Sequence, residues 1–136
     1  MVGNSQNEPF RHLREVRYIS LTTYYSSGKE IATPVTFAEV ENKLYISTDK
    51  NSWKVKRIRK NNHGKIAPCT VRGKVLEPNM AINIRILEPH EEELAKEALR
   101  QKYNDLLTRL IPVLSKLVFW RKPSERVFLE LTWSTA

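Results

Sequence analysis

The sequence is poor in the residues from which many catalytic and metal sites are built. Its 136 residues include one cysteine, three histidines and four glycines. A single cysteine, Cys69, excludes an internal disulfide and a cysteine-only zinc site, and the histidines do not have metal-ligand spacing. The chain also lacks a glycine-rich phosphate loop and a Gly-x-Ser-x-Gly nucleophile elbow. The sequence therefore does not support nucleophilic or metal-based catalysis.

Long hydrophobic runs are also missing. The longest, Leu117–Trp120, is far shorter than the roughly 20 residues that a transmembrane helix needs. The first residues do not have the basic and then apolar plan of a secretory signal. We therefore expect a cytoplasmic protein that does not associate with membranes. The length fits a single domain over residues 1–136, with residues 1–9 flexible.

Positive charge is plentiful but unevenly distributed. The chain has 23 Lys+Arg and 15 Asp+Glu residues, a formal net charge of +8. Between Lys43 and Lys74, ten basic residues are opposed by one acidic residue, Asp49, so this quarter of the chain carries +9 (ten minus one). Such a block indicates an anionic partner, either a nucleic acid or a phosphorylated small molecule. The alternative is a solvated basic face that keeps the protein soluble.

Alternation of apolar and polar residues predicts a mainly β fold with helices, in the α+β class. Short connections between the first three strands favour an antiparallel meander, and the whole pattern predicts a small barrel with helical cover. The six predicted strands are Arg17–Thr23, Glu30–Glu39, Leu44–Thr48, Lys65–Val71 (interrupted by Pro68), Met80–Leu87 and Arg126–Thr132.

Helical periodicity appears in two main places. Residues 52–61 have apolar residues at Val55 and Ile58 with cations around them, and Ser52 is the predicted N-cap. A second helix is predicted from Pro89 to Tyr103. A further helical stretch, broken at Pro112, and a short N-terminal helix are predicted over Leu106–Phe119 and Pro9–Glu15.

Groups that bind anions meet where the third strand ends and the first main helix begins. Ser47 and Thr48 end the strand, and Ser52 opens a helix whose N-terminal N–H groups lack intrahelical partners. Lys54 and Arg57 are three residues apart, share one helix face and can reach the same phosphate. The segment therefore predicts a phosphate site.

A proline inside the second predicted strand is the other informative feature. Pro34, between Thr33 and Val35, removes a ladder hydrogen bond and belongs at a sheet edge or bulge. A freed backbone edge can hydrogen-bond a planar heterocycle. The alternative is that the proline only protects the edge from other strands.

Taken together, these motifs resemble the FMN-binding split-barrel superfamily, the fold of pyridoxamine 5'-phosphate oxidase. They look most like its PPOX-class F420-dependent branch. The similar segments occur in the order of that superfamily and span most of the chain. They are Leu21–Thr23, Gly28, Ala32–Phe37, Leu44–Thr48, Lys54–Arg59, Ala67–Cys69 and Arg72–Gly73.

The resemblance implies a six-stranded antiparallel split β-barrel that binds F420, as first choice, or FMN. It also implies a homodimer with the cofactor at the subunit interface. By the same resemblance, eight residues contact the cofactor: Thr33, Pro34 and Val35 would line the ring, Ser47 and Thr48 the ribityl-phosphate arm, and Ser52, Lys54 and Arg57 the phosphate. Trp53 departs from the family pattern, which often has glycine there, and its indole is expected to contact the cofactor by stacking on the ring or to narrow the pocket.

The function implied is an F420- or FMN-dependent oxidoreductase that transfers hydride to a small conjugated or unsaturated substrate. No side chain is named as a catalytic acid or base, because the hydride chemistry belongs to the cofactor. A basic nucleic-acid-binding module and a non-catalytic cofactor carrier are the alternatives. Nucleic acid is the weaker one, because Tyr45 and Trp53 are few aromatics for a stacking platform.

Overall fold

Seven strands form one curved antiparallel sheet in the computed structural model, which describes residues 8–103 and 125–134. Within these residues, two α-helices and two short 3₁₀ turns accompany the sheet. The strands are β1 (Tyr18–Tyr24), β2 (Glu30–Thr36), β3 (Ala38–Val40), β4 (Lys43–Asp49), β5 (His63–Cys69), β6 (Met80–Ile86) and β7 (Arg126–Trp133). Helix α1 is Trp53–Lys60, helix α2 covers 92–103, and the 3₁₀ turns are Arg11–Leu13 and Pro89–Glu91.

The sheet curls into a split barrel because its two edge strands are consecutive in the chain. The strand order is β2-β1-β5-β6-β7-β4-β3, and a single residue, Phe37, joins β2 to β3. The edges must therefore lie next to each other, and Cα atoms of β2 and β4 come within 8 Å. This confirms the predicted α+β split barrel.

The predicted strand count of six was wrong because the second predicted strand is two strands. Its first part pairs with β1 and its second part with β4. The alternation of exposed and half-buried residues along β2 ends at Phe37 and Ala38, which are both buried. The two hairpins of this region consequently lie at opposite edges of the sheet, so the predicted three-stranded meander was also wrong.

The β2–β3 junction is held by the end of α2. The backbone N–H of Phe37 donates to the hydroxyl of Tyr103 at 3.0 Å, and that hydroxyl lies 2.8 Å from the carbonyl oxygens of Phe37 and Arg17. The ammonium of Lys102 sits 3.5 Å from the centroid of the Phe37 ring and has no hydrogen-bond partner among residues 8–103 and 125–134. Burial lowers the pKa of this ammonium to about 8.

The hydrophobic core fills the inside of the curl. Alternate residues of the strands, among them Leu21 and Leu44, point inward, and Ile58 of α1 joins the same cluster. Helix α1 follows β4 directly and contacts β1, so it covers one end of the barrel. Helix α2 lies on the outer face, where Ala95 and Leu99 pack against Tyr45 and Phe128.

Several predicted boundaries shift. Strand β5 begins at His63 and ends at Cys69. Pro68 does not interrupt it, because Pro68 lies opposite Ile19 in the pairing with β1. The carbonyl oxygen of Pro68 accepts the Leu76 N–H at 2.9 Å. Cys69 is buried, and burial raises the pKa of its thiol. A 3₁₀ turn replaces the predicted Pro9–Glu15 helix.

The predicted Pro89–Tyr103 helix is confirmed as a 3₁₀ turn that leads into α2. The predicted helical stretch Leu106–Phe119 lies outside the described residues. Among the residues that are described, none belongs to a helix with the length and hydropathy needed to cross a membrane.

Replacing Tyr103 by phenylalanine tests how the junction is held. The substitution leaves the buried N–H of Phe37 without an acceptor, which costs about 1–3 kcal/mol. We expect the free energy of unfolding in urea to fall by that amount. The matched control is Tyr25→Phe, since Tyr25 is exposed and its hydroxyl has no hydrogen bond within the described part of the chain. Equal, small effects of the two substitutions would contradict this role of Tyr103.

Candidate functional site

The barrel is split because two facing strand edges have no strand paired with them in the part of the chain that the structure describes. In that part, β4 pairs with β3 over residues 43–45, and residues 46–49 pair with β7 alone. Strand β2 pairs with β1 alone within the described residues. Free backbone N–H and C=O groups on such edges are available to a ligand. We call the space between β2 and residues 46–49 the seam.

The predicted ring-lining residues lie on the β2 side of the seam. Pro34 is on an edge strand, as predicted, and it is exposed on the outer face opposite Ser20. Thr33 and Val35 face the barrel interior, where each is half-buried. The three residues therefore share one unpaired backbone edge, while their side chains lie on two faces of the sheet.

Helix α1 begins as the sequence predicts. Ser52 is its N-cap, and its hydroxyl oxygen accepts the N–H of Val55 at 3.3 Å. Val55 and Ile58 are the buried residues of the helix. Because these two residues fix which side of α1 faces the barrel, they also place the side chains of Lys54 and Arg57 beside the barrel end.

Two cations of α1 are each anchored on a buried threonine. The ammonium of Lys54 donates to the Thr48 hydroxyl at 3.2 Å, and Nε of Arg57 donates to the Thr23 hydroxyl at 2.8 Å. Thr48 and Thr23 are the second-to-last residues of β4 and β1, and both are buried. The structure thus brings Thr48, Lys54 and Arg57 together as predicted and adds Thr23, which sequence reasoning missed.

Arg126, at the start of β7, also reaches the seam and was not predicted there. Its guanidinium donates from Nε to the Ser47 hydroxyl and from Nη2 to the Ser47 carbonyl oxygen, both at 3.0 Å. Ser47 is therefore held by Arg126 and lies on the opposite face of β4 from Thr48. Only the pairing of β4 with β7, in which Asp49 faces Arg126, could have revealed this contact.

Positive charge converges on Lys54. Its half-burial lowers the pKa of the ammonium, and the positive charges of Arg57 and Arg126 lower it further, while Asp49 alone raises it. Three cations near one carboxylate repel one another in partly buried surroundings. A phosphate placed between them would relieve this repulsion and favour the charged form of Lys54.

A cavity of about 440 Å³ adjoins the seam on its outer side. It is lined by Tyr18, Thr36, Ser47, Leu99, Arg100, Tyr103 and Arg126. Because Ser47 and Arg126 belong to both, the cavity and the cationic end of the seam are continuous. The volume is within the range typical of small-molecule sites.

Trp53 lies apart from the other predicted residues. Its side chain is 71% exposed, and the ammonium of Lys56 lies 4.4 Å from the centroid of its ring. It lines a separate cleft with Tyr24 and Tyr25 at the end of β1. Trp53 and Lys54 are neighbours in the chain but project to different sides of α1.

Comparison with solved structures places this fold among the pyridoxamine 5'-phosphate oxidase-like split barrels. A pyridoxamine 5'-phosphate oxidase-related, FMN-binding protein from Nostoc punctiforme has 19% identity and a TM-score of 0.57 over 97% of this chain and 77% of its own. An FAD-binding protein from Mesorhizobium loti has 14% identity and a TM-score of 0.58, covering 91% and 86%. HutZ, the heme storage protein from Vibrio cholerae, has 11% identity and a TM-score of 0.57, covering 96% and 89%.

These likenesses concern the fold. No protein-family model and no curated protein matches the sequence. The three solved structures named above are described as binding FMN or FAD or storing heme. The fold therefore does not by itself identify the ligand, and the residues at the seam have to decide it.

Inorganic phosphate tests whether the cations at the seam bind anions. Bound phosphate stabilises the folded state by RT ln(1 + [L]/Kd), about 1.4 kcal/mol at ten times its Kd. We therefore expect phosphate to raise the Tm above that in chloride of equal ionic strength. Lys54→Ala and Arg57→Ala should remove the increment, whereas Lys50→Ala, which breaks only an exposed pair with Glu125, should keep it. An increment that persists in both seam variants would contradict the site.

Proposed function

We propose that this protein binds a flavin-type cofactor at the seam, with the phosphate on Lys54 and Arg57. The observation that carries the proposal is that both cations are held on buried threonine hydroxyls beside two unpaired strand edges. A phosphorylated molecule with a planar ring needs both features, cations for its anionic end and backbone hydrogen-bonding groups for its ring. The FMN-binding neighbour with the same fold supports the same reading.

The chemistry of the donor set fits the phosphate. Within the described residues Arg57 hydrogen-bonds only through Nε, which leaves its two terminal nitrogens for phosphate oxygens. Ser52 keeps a hydroxyl proton to donate, and the first N–H groups of α1 have no acceptor within the helix. These groups act together with the charge of Lys54. A bound phosphate would also relieve the repulsion of Lys54 by Arg57 and Arg126.

The β2 edge is the natural support for the ring. Thr33, Pro34 and Val35 pair with β1 on one side, and in the described residues no strand pairs with their other side, which borders the seam. The chain's own residues would therefore hold the ring at one edge and neutralise its phosphate at the other end.

We propose an oxidoreductase function, with F420 as first choice and FMN as second. Either cofactor, when bound, supplies the hydride or electron transfer. F420 is preferred because the ten basic residues between Lys43 and Lys74 are more than one ribityl phosphate requires, and the longer anionic tail of F420 could use more of them. The adjoining 440 Å³ cavity offers room for a small conjugated or unsaturated substrate, and Arg126 at its wall supplies a positive charge beside it. A cofactor carrier would bind the same molecules without reducing an acceptor.

A homodimer is also proposed. The β5–β6 loop exposes Val71, Val75 and Leu76, and its Gly73 lies next to the ring of Pro34 on the β2 edge. This apolar patch therefore adjoins the proposed ring site, where a second copy of the chain could complete the enclosure of the cofactor.

Light scattering after gel filtration tests the dimer. We expect a mass twice that of the 15.9 kDa chain, and Leu76→Lys should shift it towards the monomer because the substitution places a charge in the apolar patch. Leu94→Lys is the control, since Leu94 is equally exposed on α2, away from that loop. A monomeric wild-type protein would contradict the proposed interface.

Comparing FMN with riboflavin isolates the phosphate contacts. Riboflavin lacks the phosphate, so removing a cation that binds phosphate should weaken FMN binding and leave riboflavin binding unchanged. A charge-assisted contact contributes about 1.5–3 kcal/mol, which is roughly a 10- to 150-fold change in Kd. Fluorescence quenching on Lys54→Ala and Arg57→Ala measures it, with F420 titrated in parallel.

Lys50→Ala is again the control, and it should bind FMN as the wild type does. The proposal fails if neither FMN nor F420 binds. It also fails if the two seam substitutions weaken FMN and riboflavin equally, because the cations would then act on the ring or on the fold. Reduction of an acceptor by bound, reduced cofactor separates an oxidoreductase from a carrier.

A further inference from the structure

A second cleft lies beside α1 at the end of β1, and Arg57 borders both this cleft and the seam. It has a volume of about 370 Å³ and opens between the β1–β2 turn and the outer face of the helix. Three aromatic side chains line it, from Tyr24, Tyr25 and Trp53. Trp53 is 71% exposed and Tyr25 is 42% exposed, so part of each ring is accessible to a ligand that stacks on it.

The cleft is also strongly cationic. Lys56, Arg57, Arg59 and Lys60 line it, and no acidic residue does. None of the ion pairs in the described residues includes a residue of α1, although five of its eight residues are cations. The cations of this helix therefore form no ion pair in the described structure, which favours an anionic partner.

Rings and cations are interleaved in the cleft. The ammonium of Lys56 lies 4.4 Å from the ring centroid of Trp53, and the guanidinium of Arg57 lies 5.4 Å from that of Tyr25. Trp53, Lys56 and Lys60 are spaced by three and four residues, so they share the outer face of α1. A ligand on this face would meet an aromatic surface and a cation within the same turn of helix.

We propose that this cleft binds a nucleotide unit, with the base stacked on Trp53 and Tyr25 and the phosphate on Lys56 and Lys60. A nucleotide combines the planar ring and the negative charge that the cleft complements. The unit is either a free mononucleotide or one member of a single strand, since both offer the same chemistry. The proposal does not rest on flavin binding, because its proposed ligand contacts, Trp53, Tyr25, Lys56 and Lys60, are not part of the proposed phosphate site, although Arg57 borders both places.

Two probes distinguish the sources. AMP is titrated by calorimetry, and a short fluorescein-labelled oligothymidylate is titrated by anisotropy, both at about 50 mM salt, where phosphate contacts are strong. Binding of AMP identifies a free-nucleotide site, and binding of the oligonucleotide alone identifies a single-strand site. In either case Trp53→Ala should weaken binding at least about fivefold through lost stacking. Lys60→Ala should weaken it and reduce the salt slope by about one.

The controls separate this cleft from the seam. Lys50→Ala should leave nucleotide binding unchanged, and Lys54→Ala should weaken FMN but not the nucleotide probes. Trp53 is exposed, so Trp53→Ala is expected to fold, and its Tm verifies this. The proposal is overturned if neither probe binds. It is also overturned if the oligonucleotide binds equally well to wild type and Trp53→Ala, because charge alone would then explain the binding.

Discussion

The seam between β2 and β4 is the constraint on which the rest of the structure depends. A sheet that closed fully would pair every strand edge, but here the chain turns at Phe37 and sends β3 to pair with only the first residues of β4. Among the described residues, no strand pairs with the remaining edge of β4 or with the outer edge of β2. Unpaired edges usually invite association with other strands. In this chain Pro34 on one edge and the cationic helix at the barrel end make such association unfavourable.

The barrel end concentrates charge at some cost to stability. Lys54 is half-buried beside Arg57 and Arg126, and this surrounding lowers the pKa of its ammonium. Hydroxyls of Thr23 and Thr48 orient the two helix cations without neutralising them. A site that selection had shaped for stability alone would pair such cations with carboxylates. The arrangement is instead typical of a preorganised anion site, in which the ligand supplies the missing charge.

Local features were predictable from the sequence because they depend on neighbouring residues. The N-cap at Ser52, the buried pair Val55 and Ile58, and the edge position of Pro34 all follow from rules about a few adjacent residues. The break at Phe37 was not predictable, since apolar and polar residues continue to alternate through it. What fixes the break is a contact with Tyr103, 66 residues further along the chain.

The unpredicted parts of both sites have the same origin. Arg126 reaches Ser47 only because β7 lies beside β4, and Thr23 meets Arg57 only because β1 ends where α1 passes. Judged from the sequence alone, only Tyr45 and Trp53 are aromatic residues near the basic helix. The fold also brings Tyr24 and Tyr25 next to its cations, because β1 ends beside α1. Periodicity identifies elements, whereas the order of strands in the sheet decides which side chains meet.

A crystal structure of the protein with FMN tests the central claim most directly. The account predicts phosphate oxygens within about 2.7–3.2 Å of the Lys54 ammonium and the Arg57 guanidinium, and the ring against the edge of β2 at Thr33–Val35. A phosphate bound elsewhere, for example on the outer face of α1 beside Trp53, with Lys54 and Arg57 still contacting only their threonines, would contradict it.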